Sequence, residues 1–290
     1  MLTQLLASTF RLSTPLIFAA LGGMFSERSG VVNIALEGLM LIGAFGAAVA
    51  TLATHSPWLG SAGGMAAGLA LASIYALFVI RLRANQIVAG TAINMLALGL
   101  TPCCCKILYD VTGSTPAIPM GERFTSAPLY LSWALVAICF LWLKYTPAGL
   151  WLGFAGEHPD ALDAAGVRVN RVRWAAVLLS GALAGLGGAS LSVFLSSSFS
   201  RNMTAGRGFM ALAALIFGRW KPVPTALACL LFGFSDAVQI RLQGVSLWGT
   251  APIPVQFIQI LPYVVTMLVL AGFVGRSRAP KALGSSFQRG

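Results

Sequence analysis

The residues that could carry out chemistry are few in this chain of 290 residues, which holds eight acidic residues and two histidines. An enzymatic site needs a nucleophile beside a base, or a metal ion held by several ligands. His55 and His158 fall in separate predicted loops, and neither the Gly-Xaa-Ser-Xaa-Gly nor the His-Glu-Xaa-Xaa-His spacing occurs. The sequence therefore argues against an enzyme.

The five cysteines do not change this conclusion. Three of them, Cys103 to Cys105, are adjacent, which places them poorly for bridging one another. No Cys-Xaa-Xaa-Cys pair or histidine partner has the spacing of a metal site. We expect the cysteines to be small packing residues near a helix end, and we predict no metal site.

Several polar residues stand inside apolar stretches, where a buried polar group usually faces a bundle interior or a water-filled path. Asn33 and Glu37 are four residues apart and are predicted to share a helix face. The same spacing places Gln86 and Asn94 on one face of another helix. Two interpretations stay open, a lining for a hydrophilic solute or hydrogen bonds between helices. The full set is Asn33, Glu37, Gln86, Asn94, Asp236 and Gln239.

The composition explains why these residues stand out. The chain is 57% hydrophobic and 9% charged, with a mean hydropathy of +0.83, whereas soluble domains are usually about a quarter charged. Its apolar runs are long enough to cross a hydrocarbon core of about 30 Å. We predict an all-α polytopic membrane helical bundle, one domain over residues 1–290, with nine membrane segments. These are 4–25, 31–53, 58–80, 86–108, 127–145, 173–197, 206–218, 223–242 and 255–275.

One of these segments, 206–218, is short, since as a helix it would span only about 20 Å. A helix end at membrane depth has to lie inside a bundle, because lipid cannot satisfy its backbone groups. Half-helices of this kind are frequent beside transport pathways. Alternatively, Arg207 marks the outer membrane interface, and both interpretations stay open.

Basic residues fall in short clusters between the apolar runs, although a net charge of +11 could suggest a nucleic-acid partner. The clusters follow the positive-inside pattern, which keeps basic loops in the cytoplasm. We therefore predict no nucleic-acid partner, an external N-terminus and a cytoplasmic C-terminus. The external segments are then 55–60, 110–128, 198–205 and 244–254.

Glycines four residues apart indicate where helices meet. Gly60, Gly64 and Gly68 form one series, and Gly181 and Gly185 form another. In lipid, small residues at this spacing let two helix backbones approach closely. We expect these glycines to lie at helix contacts and not in a phosphate-binding loop.

The most polar helix-like stretch is GEHPDALDAAGV, Gly156 to Val167, within a predicted cytoplasmic loop at 146–172. His158, Pro159 and Asp160 indicate a helix start, because proline is tolerated in the first turn and acidic residues favour the positive end of the helix dipole. Gly166 is predicted to end the helix. A helix this short cannot fold alone, so we expect it to dock on another surface.

This stretch resembles the coupling helix of ABC importer permeases, which seats in a cleft of the cytoplasmic ATPase subunit. Two further stretches resemble permeases of the nucleoside and simple-sugar importer group, within the larger family that also serves ribose and branched-chain amino acids. They are ERSGVVNIALEGLMLIGAF, Glu27 to Phe45, and GRGFMALAALIFGRWKPVPTALACLLFGFSDAVQ, Gly206 to Gln239. The three stretches occur in the expected order.

The resemblance implies a fold related to type II importers, without the extra N-terminal helix of their long permeases. It implies a second permease subunit, identical or paralogous, two cytoplasmic ATPase subunits and an external substrate-binding protein. ATP and Mg²⁺ would bind to the ATPase, and the chain itself would hold no cofactor. The implied ATPase contacts are Glu157, Asp160, Asp163, Ala164 and Gly166, and Arg168 would flank the ATPase.

His158 and the triple cysteine depart from the pattern of this group, which leaves the fine contacts with the ATPase open. The predicted function is the translocation subunit of an ABC importer in a bacterial cytoplasmic (inner) membrane, embedded in lipid. Its solute would be a nucleoside or a related ribose-containing or simple-sugar compound, with a free base or a vitamin such as riboflavin also open. The alternative is an ion-gradient-driven secondary transporter, for which Glu37 and Asp236 are the candidate coupling carboxylates.

The predicted topology can be tested by labelling with a membrane-impermeant maleimide. A cysteine introduced at Ser114 should react in intact cells, and one at Asn170 only after the membrane is opened, because the first lies in a predicted external segment and the second in a basic loop. The native cysteines are removed from the background. The reverse labelling would overturn the topology.

Overall fold

A computed structural model describes residues 2–243, 246–247, 251–252, 260, 264, 267 and 278–287. In this part of the chain two α-helices continue into π-helical turns, Leu77–Arg81 and Leu191–Leu195, and Met120–Glu122 forms a 3₁₀ turn. Two short strands, β1 (Ser246–Leu247) and β2 (Ala251–Pro252), pair antiparallel. The α-helices are α1 Leu2–Arg28, α2 Leu36–Thr54, α3 Pro57–Ala76, α4 Gln86–Tyr109, α5 Ala127–Tyr145, α6 Pro147–Glu157, α7 Pro159–Ala164, α8 Val169–Ser190, α9 Arg207–Phe217 and α10 Pro222–Leu242.

The predicted helical membrane bundle is confirmed. Among the described residues, seven helices are long and apolar enough to cross a membrane, and α9 is a shorter apolar helix of 11 residues. The predicted ninth segment, 255–275, lies outside the described residues apart from three isolated positions. One boundary was predicted wrongly. Residues 31–35 are not helical, so Asn33 precedes α2 and does not share a helix face with Glu37.

Glycines hold the centre of the bundle together, where α2, α3 and α8 pack against one another. A Cβ atom added to Gly185 in α8 would collide with the carbonyl oxygen of Gly64 in α3. One added to Gly43 in α2 would collide with the backbone of Gly185. The prediction that Gly64 and Gly185 lie at helix contacts is therefore confirmed.

Three of the predicted external segments meet at one end of the bundle. The amide of Thr115 donates a hydrogen bond to the carbonyl oxygen of Phe199 at 3.1 Å. His55 Nδ1 lies 2.7 Å from Glu122 Oε1. These contacts place the three segments on one side, as the predicted topology requires.

The half-helix α9 begins inside the bundle. Before it, the ring of Phe199 packs edge-on against Phe45 of α2, with centroids 5.4 Å apart. After that contact, the Gly206 amide reaches Glu37 Oε1 at 2.9 Å. Phe45 and Glu37 are eight residues apart on α2, so the chain moves about 12 Å along that helix between the two contacts. Because α9 begins this far along α2, the structure favours a half-helix within the bundle over the alternative in which Arg207 marks the outer membrane interface.

The close backbone contacts predict that Gly185→Ala destabilises the bundle. In an ordinary helix interior, Gly→Ala stabilises by about 0.5–1 kcal/mol. At Gly185 the added methyl has no space, and overpacking costs about 1–3 kcal/mol. Thermal unfolding of the detergent-solubilised chain measures the difference.

The matched control is Gly99→Ala, because a Cβ at Gly99 in α4 meets no atom within 4 Å. We expect this variant to unfold at or slightly above the wild-type temperature. Equal stability of the two variants would contradict the packing role of Gly185.

Candidate functional site

Arg173 joins three segments near the start of α8. Its side chain is 2% exposed. It donates hydrogen bonds from Nε to the Ser29 carbonyl at 3.1 Å, from Nη1 to the Ser285 carbonyl at 2.7 Å and from Nη2 to the Ala155 carbonyl at 3.3 Å. A buried charge needs such partners, and the planar guanidinium supplies several donors in a fixed geometry. Arg173 therefore links the turn after α1, the end of α6 and the segment 281–285.

The backbones around Arg173 run close together. The Ala282 amide donates to the Gly156 carbonyl at 2.8 Å, and the Gly284 amide donates to the Gly30 carbonyl at 3.0 Å. A Cβ atom on Gly156 would collide with the carbonyl oxygen of Arg28. We call this meeting point, formed by residues 28–30, 155–156, 173 and 281–285, the Arg173 junction.

The short helix α7 is anchored beside the Arg173 junction. Leu162 is 3% exposed and forms a small apolar cluster with Ala155 and Val169. On the other side of α7, Asp160 and Ala164 are exposed. The helix is thus held through one residue and offers an acidic, alanine-rich face for contact with another molecule.

Both predicted ends of α7 are confirmed. Pro159 is the first helical residue and His158 is the N-cap. At the other end Gly166 has φ +82°, in the left-handed region where glycine is favoured. The Val167 amide then donates back to the Leu162 carbonyl at 3.2 Å, which completes a Schellman-type ending.

The five residues predicted to contact an ATPase, and Arg168 predicted to flank it, lie on or beside α7. Glu157 ends α6 and Arg168 is the N-cap of α8, and both are exposed. Asp163 is half-buried and already has an interaction within the chain, whereas Asp160 is exposed. Their contact with an ATPase stays a prediction.

A second buried contact ties the end of α9 to the end of α1. Glu27 is 3% exposed, and its Oε2 accepts a hydrogen bond from Trp220 Nε1 at 2.6 Å. Arg28 Nη1 donates to the Trp220 carbonyl at 3.3 Å. Arg219 and Trp220 have φ of 52° and 54°, a left-handed conformation that bulky residues rarely adopt. The surrounding contacts fix this turn in place.

Glu37 holds the beginning of α9. Its carboxylate is 6% exposed and accepts hydrogen bonds from the Gly206 amide at 2.9 Å and the Gly208 amide at 2.7 Å. The first amides of a helix lack partners within it, and a carboxylate there also complements the helix dipole. Glu37 of α2 therefore acts as a cap supplied by another helix.

Two amide side chains of α4 hold the non-helical segment 31–35. Gln86 Oε1 accepts from the Val32 amide at 2.8 Å. Asn94 Oδ1 accepts from the Gly38 amide at 2.8 Å, and its Nδ2 donates to the Ile34 carbonyl at 2.9 Å. As predicted, Gln86 and Asn94 share one buried face of a helix.

The other predicted polar residues are less closely grouped. Asn33 Nδ2 donates to Ser180 Oγ of α8 at 2.7 Å. Asp236 of α10 lies 4.0 Å from the guanidinium of Arg207 at the start of α9. Gln239 is half-buried one turn further along α10. The structure thus brings Asn33, Glu37, Gln86 and Asn94 to one region, but their contact with a solute stays a prediction.

Sequence reasoning did not identify Arg173, Glu27 and Trp220 as site residues. It placed Glu27 between two predicted spans and Arg173 at the first position of segment 173–197, because charged residues commonly flank apolar runs. Their partners are mostly backbone carbonyls from distant segments, which leave no pattern in the sequence. The one available signal was that Arg173 is the last charged residue of α8 and is followed directly by an apolar run.

These features define a class of protein, a multispan membrane permease. Packing through glycines is typical of membrane helices, and half-helices that begin within the bundle are frequent in transporters. The chain belongs to the family described as the branched-chain amino acid transport system / permease component, whose model matches residues 5–270.

Individual relatives are similar over nearly their whole length. A guanosine ABC transporter permease of Bacillus subtilis, NupQ, is 40% identical over 100% of this chain and 98% of its own. A nucleoside ABC transporter permease of Lactococcus lactis, NupC, is 39% identical over 95% and 93%. A protein of Haloferax volcanii, TsgC13, provisionally named a glucose ABC transporter permease, is 34% identical over 98% and 97%.

The Arg173 junction predicts that Arg173→Lys lowers stability. A lysine ammonium cannot reach three carbonyls in the arrangement of the guanidinium, and losing one hydrogen bond to a buried charge costs about 2 kcal/mol. We expect a lower thermal unfolding temperature in detergent. Arg171→Lys, at an exposed position two residues away, should change stability by less than about 0.5 kcal/mol. Equal effects would show that the junction contributes nothing specific.

Proposed function

We propose that this chain is the membrane translocation subunit of an ATP-binding-cassette importer for nucleosides. The observation that carries the proposal is the 40% identity to a guanosine permease over 100% of this chain and 98% of the relative. The 39% identity to a nucleoside permease supports the same class of solute. In this role the chain moves solute and leaves ATP hydrolysis to a separate subunit.

The proposal includes three kinds of partner and a location. A cytoplasmic ATPase, which binds ATP and Mg²⁺, would dock on the exposed face of α7. A second permease, identical or paralogous, would complete the path, and an external substrate-binding protein would sit at the end that carries Thr115 and Phe199. The single domain of residues 1–290 would lie in a bacterial cytoplasmic membrane with its N-terminus outside and its C-terminus in the cytoplasm, as the basic loops favour.

A continuous set of contacts leads from α7 to the bundle interior. Leu162 holds α7 against α6 and α8. Arg173 joins α6 to the turn after α1, and the contact of Glu27 with Trp220 joins α1 to α9. Glu37 joins α9 to α2. Closure of the ATPase subunits would move α7, and these contacts would pass the movement to α9, which begins within the bundle.

In this mechanism the six polar residues would border the solute path. Glu37, Gln86 and Asn94 use their side chains to hold backbone amides in the described conformation. Asp236 and Gln239 lie three residues apart on α10, and both are half-buried. A lining with few charges suits an uncharged solute such as a nucleoside.

One observation favours an alternative solute, and another argues against an alternative mechanism. The 34% identity to the Haloferax protein supports a simple sugar as solute. An ion-gradient-driven transporter would need a carboxylate able to exchange its ion, and Glu37 and Asp236 are the candidates. Both oxygens of Glu37 already accept backbone hydrogen bonds, which disfavours it for that task.

The coupling role of α7 can be tested with Asp160→Lys in the complex of permease, ATPase and substrate-binding protein, reconstituted in lipid vesicles. We expect uptake of guanosine to fall by about tenfold or more, because a reversed charge on the exposed face of α7 opposes docking while no core residue is changed. Uptake, ATP hydrolysis and the amount of bound ATPase are measured together.

Asp110→Lys is the matched control, since Asp110 is an exposed aspartate whose side chain is 97% accessible and which lies in a predicted external segment. It should leave the amount of bound ATPase unchanged, because Asp110 lies at the end of the bundle opposite α7; this amount is the quantity to compare with the Asp160 variant. Full guanosine uptake by the Asp160 variant would contradict the docking role. Uptake of glucose but not guanosine by the wild-type complex would replace the nucleoside proposal, and uptake without ATPase would support the ion-driven alternative.

A further inference from the structure

An apolar groove opens on the side of the bundle where α5, α6 and α8 meet, and the polar residues around Glu37 are not among those that line it. Its volume is about 580 Å³, within the range of roughly 300–1,000 Å³ found for small-molecule pockets. Trp142, Trp151 and Leu179 form part of its apolar wall. Trp151 and Leu179 are exposed, so the groove opens toward the surroundings of the protein.

Two arginines stand at the polar end of this groove. Arg168 and Arg171 both line it, and both are exposed. Among the described residues, neither side chain is within ion-pair distance of a carboxylate. The first turn of α8, where they lie, contains no acidic residue. The groove therefore combines a long apolar wall with uncompensated positive charge at one end.

The helix α6 indicates where the groove lies relative to the membrane. Leu150, Trp151 and Phe154 are exposed by 59%, 45% and 46%, although α6 connects two predicted spans and is not one itself. Exposed leucine and aromatic side chains are unfavourable in water, and aromatic residues are enriched at the membrane interface, so α6 is placed at that interface. The arginines then stand at headgroup level and the apolar wall extends toward the acyl chains.

We propose that this groove binds an anionic phospholipid. The phosphate contacts Arg168 and Arg171, and an acyl chain lies against Trp142, Trp151 and Leu179. Anionic lipids are favoured because basic residues at the cytoplasmic surface attract negative headgroups, and a zwitterionic headgroup would leave the two charges less compensated. Apolar burial of the chain adds affinity that free phosphate lacks.

The test compares phosphatidylglycerol with phosphatidylcholine bound to the purified full-length chain in detergent, measured by native mass spectrometry. We expect the wild type to bind phosphatidylglycerol about tenfold more tightly, and Arg168→Gln with Arg171→Gln together to remove this preference. Ala175→Trp should weaken binding of both lipids with both arginines intact, because Ala175 is an exposed residue that lines the groove.

The matched control is Arg81→Gln with Arg83→Gln, a second exposed arginine pair that does not line the groove. It should keep the full preference for phosphatidylglycerol. The proposal fails if the Arg168 and Arg171 variant binds phosphatidylglycerol as the wild type does, or if the control pair loses as much. It also fails if inorganic phosphate at equal concentration displaces the lipid, since that would define a site for a free anion.

Discussion

In lipid, every backbone amide and carbonyl needs a partner from the protein, and among the described residues the segment 31–35 and the beginning of α9 obtain several of theirs from side chains. The segment 31–35 is held by Gln86 and Asn94, and the amides that open α9 are held by Glu37. These three residues take the place of bonds that a continuous helix would make internally. A half-helix and a break before α2 are therefore stable at membrane depth.

The bundle divides into a tightly packed centre and a more weakly packed margin. Gly64 and Gly185 bring α3 and α8 into backbone contact, which leaves these helices little freedom to slide. By contrast, α7 is held by Leu162 and offers most of its other residues to solvent. Since packed interiors move as rigid units, movement between conformations is expected in the margin around α7.

Much of the architecture could be predicted from the sequence, because membrane spans, glycine spacing and the ends of α7 are local signals. Gly166 was predicted to end a helix, and it does so with the expected left-handed backbone. The break before α2 was missed, since Asn33 to Glu37 fits a helical spacing and the partners that stabilise the break lie in α4. Arg173 was missed for a similar reason. Its partners are backbone carbonyls of distant residues, and because every residue has a carbonyl, the sequence does not show which ones Arg173 contacts.

The hydrogen bond between Arg173 and the Ser285 carbonyl closes a loop of more than a hundred residues. During synthesis, α8 enters the membrane long before residues 281–285 exist. Until they arrive, the guanidinium must stay hydrated or find a temporary acceptor, because an unpaired buried charge is costly. The surface that presents α7 is therefore completed late in biosynthesis. An incomplete chain differs from the finished one at the surface where a cytoplasmic partner would bind.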